Sequence, residues 1–481
     1  MRVLFACSEV APYIKSGGLG DVTGSLPPEL NRVGVETLVI APLYGALKRR
    51  RGFYQELEEV ACYQVQVGWR HQFCRLLRVN GNVPVYFIEN DFYFKREQFY
   101  GYYDDGERFV FFSQAVLAAV PYLGGVDVIH CHDWQTAAIP LLLNIYYRHL
   151  PDYSNLRTVF TIHNLRFQGR FNIRAAQELL NLGPESPCWK DLEYDDGINL
   201  MKAALFHSNW VTTVSPTYAR EIRSAWYGEG LDAVLNIISD KLTGVLNGID
   251  MDAVDPSKDE RIYHPYRDAS GKAVNKLAFQ REYDLPQKKD ALMIGVVSRL
   301  DAQKGFDLIQ RVMEEILRLN VQFVLLGTQS VSPGEQPMYE YFFRNVEHRY
   351  RDKARCFIQF DVVVAQKIYA ASDLFLMPSA FEPCGLSQMM AMRYGSLPLV
   401  RETGGLKDTV VPYNHVTGEG TGFSFANYNA HDMLHVIEEA ERLFRNAPET
   451  WNSLVEQAMA ADFSWRKSAL EYKEIYERVK A

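Results

Sequence analysis

Short, nearly continuous apolar runs recur along this chain between stretches of helical spacing, and that alternation limits the fold more than any other feature. In the first half the runs are RVLFACS (2–8), VETLVIA (35–41), VPVYFIE (83–89), VDVIHC (126–131), RTVFTIH (157–163) and WVTTV (210–214). Runs of this kind fit strands buried on both faces of a parallel sheet. The segments 134–148 and 198–207 between them carry helical periodicity. Alternating β and α elements predict a doubly wound α/β domain. From about residue 250 to 290 the chain turns polar, with DPSKDERIYHPYRDAS near its start. The pattern then resumes with ALMIGVVS, VQFVLLG, RCFIQF, DLFLMPS and GSLPLV. The expectation is two Rossmann-like domains, 1–250 and 251–460, facing each other across a deep cleft. Residues 461–481 are expected to form an amphipathic C-terminal helix that packs back on the first domain.

Length agrees, since 481 residues at ~150 per domain make two or three domains. A formal net charge of -8 argues against nucleic acid as the main partner, because a phosphate backbone asks for a basic face. Seven scattered cysteines, with no CxxC pair, point to neither a zinc ribbon nor a disulfide framework and fit a reducing cytoplasm. The first residues reach Glu9 after a very short apolar stretch, which reads as no signal peptide. No apolar run approaches the ~20 residues of a membrane span.

Four constellations carry candidate chemistry. The first strand runs into Lys15-Ser-Gly-Gly-Leu-Gly-Asp21, where glycines let backbone N–H groups approach phosphate oxygens and Lys15 adds a point charge. It is neither a GxGxxG fingerprint nor a Walker A loop, and a tight structural turn explains it equally well. In the second half Arg299 follows MIGVVS and Lys304-Gly305 lies five residues on. Two cations beyond a first strand suit a diphosphate leaving group, or merely flank a loop. Glu382 stands on a Pro/Gly-shaped turn after DLFLMPS, placed to bind sugar hydroxyls. Thr403-Gly404-Gly405-Leu406 is a small-residue turn able to form an anion nest. Blander readings attach to other residues. His130-Cys131-His132-Asp133 has no further ligand at metal spacing. Cys384 fits a packing residue, the aromatics of 92–103 either stack on sugar rings or pack under a loop, and Asp195-Asp196 fits a solvated loop.

Taken in order, KSGGLGDV, HCHDWQ, FTIHN, VLNGID, SRLDAQKG, PSAFEPCGLSQ and RETGGLKDTV, with FSW near the end, resemble the motif series of bacterial glycogen synthases and plant starch synthases. The resemblance covers nearly the whole chain. It implies the GT-B architecture and transfer of glucose from ADP-glucose to the non-reducing end of an α-1,4-glucan, with retention and release of ADP. It implies no cofactor, metal or membrane partner, and a cytoplasmic enzyme. Lys15, Gly17, Gly18 and Asp21 would then meet the donor diphosphate and sugar. Arg299 and Lys304 would stabilise departing ADP, with Thr403, Gly404, Gly405 and Leu406 donating to its phosphates. Glu382 would hold the glucose beside Cys384, Gly385 and Leu386, and Asp133, His163, Asn164 and Asn247 would line the sugar pocket. Phe360 stands where the family often has a Tyr that stacks on adenine. Gln329-Ser330 stands where a Gly-Asp is common, and Met390 where many related transferases carry a second glutamate. The competing readings are a relative that uses UDP-glucose, a glucan phosphorylase needing pyridoxal phosphate, and a glucan-binding protein without turnover. No regulatory domain is visible, which points to control upstream at donor synthesis.

Overall fold

The computed structural model describes residues 1–329 and 336–481. The chain divides into two compact units, Met1–Gly248 with Trp465–Ala481, and Ile249–Ser464.

Unit 1 is built on nine strands: β1 (Arg2–Ala6), β2 (Glu36–Pro42), β3 (Glu58–Val67), β4 (Arg70–Val79), β5 (Val85–Glu89), β6 (Val128–His132), β7 (Arg157–Ile162), β8 (Trp210–Thr213) and β9 (Leu242–Gly244). They lie in the order β9-β8-β7-β6-β1-β2-β5-β4-β3. Every pairing from β9 to β5 is parallel, while β5–β4 and β4–β3 are antiparallel. Val3, Leu4 and Phe5 of the central β1 are fully buried, as near-continuous apolar runs require, and each such side chain stabilises the fold by about 1.5–3 kcal/mol. The β3–β4 hairpin extends the sheet beyond the sequence expectation. Its turn, Gly68-Trp69, needs glycine, because Gly68 has φ +56° and a Cβ there would lie 1.8 Å from the Glu178 carbonyl oxygen. The helix expected from residue 198 begins at Leu200, because 197–199 pair as a strand in a small antiparallel sheet.

The C-terminal helix, Arg466–Lys480, belongs to this unit. Its Tyr472 and Tyr476 are buried, Ser468 Oγ donates to the Leu246 carbonyl at 2.5 Å, and Arg157 Nε donates to the Val479 carbonyl at 3.2 Å.

Unit 2 holds six parallel strands: β10 (Leu292–Val297), β11 (Val321–Gly327), β12 (Ala354–Ile358), β13 (Leu374–Met377), β14 (Leu397–Arg401) and β15 (Phe423–Phe425). Their order is β12-β11-β10-β13-β14-β15. One part of its core packs Phe279 and Leu285 with Met293, Val324 and Leu326 of the sheet and with Ile368 and Ala371.

Both sheets reverse direction once. In unit 1 the chain moves outward from β1 to β2 and then returns to lay β6 on the other side of β1. In unit 2 it moves from β10 through β11 and β12, then returns to lay β13 beside β10. Crossovers leave on opposite faces at such a switch point, so a crevice opens at the carboxyl ends of the two strands. The loops after β1, β6, β10 and β13 are therefore where each unit is built to bind.

Candidate active site

In unit 2 the loops after β10 and β13 are locked together. Gly305 has φ +73°, and a Cβ there would stand 2.0 Å from the Pro378 carbonyl oxygen, so only glycine permits the approach. Gln303 fastens the same contact. Its carbonyl accepts from Ala380 N–H at 2.8 Å, and its side-chain amide donates to the Phe381 carbonyl at 3.2 Å. Arg401, at the end of β14, donates from Nε to the Ser379 carbonyl at 2.8 Å. The product of this clamp is one ion pair: Lys304 Nζ meets Glu382 Oε2 at 2.6 Å, with side-chain exposures of 17% and 8%. Ser379 Oγ donates to the same oxygen at 3.1 Å. Arg299 is exposed and only loosely paired, with Asp301 at 3.6 Å. The geometry thus holds one cation fixed and leaves a second able to swing onto an anion.

The Gly-Gly turn makes close backbone contacts at this site. Gly405 N–H donates to the Glu382 and Pro383 carbonyls, each at 3.2 Å, and Leu406 N–H donates to the Thr403 carbonyl at 3.1 Å. Those two donors already have acceptors. A Cβ at Gly404 would lie 1.9 Å from the Glu382 carbonyl oxygen, and one at Gly405 would lie 2.2 Å from that of Cys384. The glycines are required because the turn carrying Glu382 packs against their backbone. Thr403, Leu406 and Cys384 are buried, while Gly385 (φ +72°) and Leu386 are partly exposed and lead into the helix Ser387–Arg393. Phe360 is 85% exposed, immediately before Asp361, which caps the helix Val362–Ala371 through the N–H groups of Val363 and Val364. Of the departures noted in the sequence, Gln329 is described and Ser330 lies outside the described residues.

In unit 1 the loop after β1 is organised by Glu9, a residue the motif reading passes over. Glu9 is 4% exposed. Oε2 accepts from Ser16 N–H at 2.5 Å and Gly17 N–H at 3.2 Å, and Oε1 accepts from Ser16 Oγ at 2.6 Å and Tyr100 OH at 2.8 Å. The Gly17 N–H that the sequence offers to phosphate is therefore taken by a carboxylate of the protein. Gly18 opens the helix Gly18–Arg32, and Lys15 Nζ pairs with Asp21 Oδ1 at 2.7 Å while staying half exposed. Burial raises the Asp21 carboxyl against the pull of Lys15. Tyr100 ties in the aromatic segment, most of which packs: Tyr93 and Phe94 are buried, and the fully buried Arg108 donates to the Tyr93 carbonyl at 2.8 Å. Tyr103 alone stands almost wholly in solvent, at 98%.

Strands β6 and β7 end side by side on His132 and Ile162, which brings Asp133 and His163 together. Asp133 Oδ1 accepts from His163 N–H at 2.7 Å and Asn164 N–H at 3.4 Å. Its backbone has φ 56° and ψ -179°, a region that costs a non-glycine residue on the order of 1–3 kcal/mol and persists only where the surrounding structure over-determines it. Burial pushes the Asp133 carboxyl up to about 7, although both N–H groups favour its ionised form. Burial likewise pulls His163 down to about 3, so its ring is neutral at ordinary pH. His130 bonds through both nitrogens, to Tyr476 OH at 2.8 Å and Thr161 Oγ1 at 2.6 Å. Among the described residues no cluster of three metal-ligating side chains forms. Asn247 is 6% exposed with Oδ1 lacking a hydrogen-bond partner among the described residues, and Asp195 and Asp196 sit on an exposed turn.

Residues 2–237 match the starch synthase catalytic domain family, and residues 280–456 match the glycosyl transferases group 1 family. A glycogen synthase of Clostridium acetobutylicum is 48% identical, with 99% of each chain covered, and one of Anoxybacillus flavithermus is 46% identical over 100% of this chain and 98% of its own. The chain belongs to the glycogen synthase family. As such it is a glycosyltransferase. The catalytic domain of starch synthase IV from Arabidopsis thaliana, solved bound to ADP and acarbose, superposes with a TM-score of 0.89 at 36% identity, covering 100% of this chain and 99% of that one. Sucrose-phosphate synthase from Thermosynechococcus elongatus shares the fold at a TM-score of 0.61 and 15% identity. The architecture is that of the GT-B glycosyltransferases, with a Rossmann-like sheet in each unit. Among the described residues no helix is long and apolar enough to cross a membrane.

Proposed function

We propose that this enzyme transfers the glucosyl group of ADP-glucose to the non-reducing end of an α-1,4-glucan in the cytoplasm, with retention of configuration and release of ADP. The observation that carries the reading is the partly buried Lys304–Glu382 pair at the switch-point end of the unit 2 sheet, in a chain related over its full length to glycogen synthases. Residues 251–460 take the donor and residues 1–250 the glucan. Phe360 offers an exposed ring to the adenine. Arg299 closes on the diphosphate while Lys304, already fixed, meets the charge that develops as the sugar–phosphate bond breaks. Glu382 receives glucose hydroxyls on Oε1, which has no partner among the described residues, while Lys304 and Ser379 hold Oε2. Within unit 1, Lys15 and Asp21 offer charges from the loop after β1, and Asp133, Asn164 and Asn247 offer hydrogen bonds to sugar hydroxyls.

Retention by double displacement needs a carboxylate directly beneath the anomeric carbon. Glu382 is read as holding glucose hydroxyls, its Oε2 fixed by Lys304 and Ser379, and the reading is instead a same-face substitution. The bond from the anomeric carbon to the phosphate oxygen breaks, and the bond to the acceptor oxygen forms on the same face. The acceptor's hydroxyl proton passes to the departing phosphate, leaving ADP and a glucan one unit longer. Catalysis is then positioning and electrostatic stabilisation. The test is to incubate the enzyme with ADP-glucose and a short maltooligosaccharide and measure ADP release and product anomer. Product digestible by an α-specific exoglucosidase, one glucose per ADP, is expected. A β-linked product, or ADP release without chain growth, overturns the reading.

A further inference from the structure

The sugar-pocket reading leaves one fully buried group unassigned. His132 ends β6 with no exposure, stacked at 5.1 Å on Phe5 and packed against His130 at 4.1 Å. Its Nδ1 lies 2.9 Å from Nε2 of His163, and its own Nε2 is buried without a hydrogen-bond partner among the described residues. One proton sits between the two rings, and two arrangements are open to a neutral pair. If His163 donates, the His132 proton must lie on Nε2, leaving a buried N–H with no acceptor. If His132 donates, what remains buried on Nε2 is a bare lone pair. Orphaned N–H groups are the rarer of the two in folded proteins. The stacked geometry with Phe5 also denies an Nε2–H the ring face that would otherwise receive it.

We infer that His132 is a positioning residue: its Nδ1–H donates to Nε2 of His163 and so holds His163 in the tautomer that carries its proton on Nδ1. The ring of His163 has no other protein partner on Nδ1 among the described residues. His163 therefore presents a hydrogen-bond donor to a ligand, and Nδ1 cannot serve as a base or nucleophile. Burial keeps both imidazoles neutral, so the assignment does not change across ordinary pH. A donor there suits a neutral, hydroxyl-rich ligand that accepts through oxygen. This last step rests on the proposed function, whereas the tautomer does not.

The experiment uses the full chain labelled with 15N-histidine, and reads the two ring nitrogens of His163 by long-range proton–nitrogen correlation. The signal is assigned by its loss in His163→Gln. Wild type is expected to show a protonated Nδ1 and a bare Nε2, unchanged from pH 6.5 to 8.5. His132→Asn keeps an N–H in the place of Nδ1 and is expected to preserve that pattern. His132→Leu removes it and is expected to shift the His163 proton toward Nε2. In glucosyl transfer, His132→Leu is expected to lower kcat by about 10-fold with little change in donor KM, and His132→Asn to recover most of that loss. A protonated Nε2 on wild-type His163, or an unchanged tautomer in a folded His132→Leu, overturns the inference. If the tautomer behaves as expected and no glucosyl transfer is found, the inference stands and the proposed function fails.

Discussion

Replacing Lys304 with alanine separates what the Lys304–Glu382 pair does for the fold from what it does for the reaction. At 17% and 8% side-chain exposure the pair lies between two limits. Exposed ion pairs contribute about 0–1 kcal/mol, and breaking a fully buried one costs about 3–5 kcal/mol. Glu382 keeps the Ser379 hydroxyl when the lysine goes, which softens the loss. A destabilisation of about 2 kcal/mol follows, leaving the enzyme folded at 25 °C. The kinetic cost is larger, because a preorganised cation is removed where negative charge develops. It should reach ~10²–10³ in kcat, or about 2.7–4 kcal/mol. Urea denaturation and initial-rate kinetics on the same preparation read both numbers. Turnover within a few-fold of wild type in a folded Lys304→Ala enzyme would refute the reasoning.

Three further outcomes follow from the geometry. Glu9→Ala strips the acceptor from the N–H groups of Ser16 and Gly17, so kcat/KM should fall by about 10- to 100-fold and stability by about 1–3 kcal/mol, with Glu9→Gln recovering much of both in the same assays. Phe360→Ala should raise donor KM by about 5- to 100-fold through lost stacking, while thermal melting stays at the wild-type value because the ring is exposed. Asp133 is raised to about 7 in the fold, so between pH ~4 and ~7 the unfolded chain loses this proton first, and stability falls as pH rises through that window. Asp133→Asn should lessen the loss between pH 5 and pH 8 by about 1–3 kcal/mol, measured by urea denaturation, and an undiminished loss would contradict the assignment.

The eleven apolar runs all became strands, because a strand covered on both faces must be apolar throughout and that pattern is visible without any partner. The β3–β4 hairpin escaped the same reading. Its outward residues, Gln64, Gln66 and His71, are polar, and its inward ones, Val65, Val67 and Cys74, show only as weak alternation. The strand Phe423–Phe425 is too short to stand out. Within the site, Lys304 and Glu382 lie 78 residues apart, and their pairing depends on β13 returning beside β10, which no local pattern displays. Glu9 was hidden for a related reason: a single carboxylate at a strand end announces nothing until the loop folds back onto it. The Gly404-Gly405 pair was visible, but its role was not. Two adjacent glycines fit an anion nest and a close backbone contact equally well, and the 1.9 Å and 2.2 Å approaches that show the close contact appear only in the fold.

The central claim is tested most directly by glucose incorporation into glycogen from ADP-glucose, with UDP-glucose in parallel and no metal added. Chain growth from ADP-glucose at least tenfold faster than from UDP-glucose at equal concentration is expected. Faster growth from UDP-glucose, or glycogen binding with incorporation from neither donor, would contradict it.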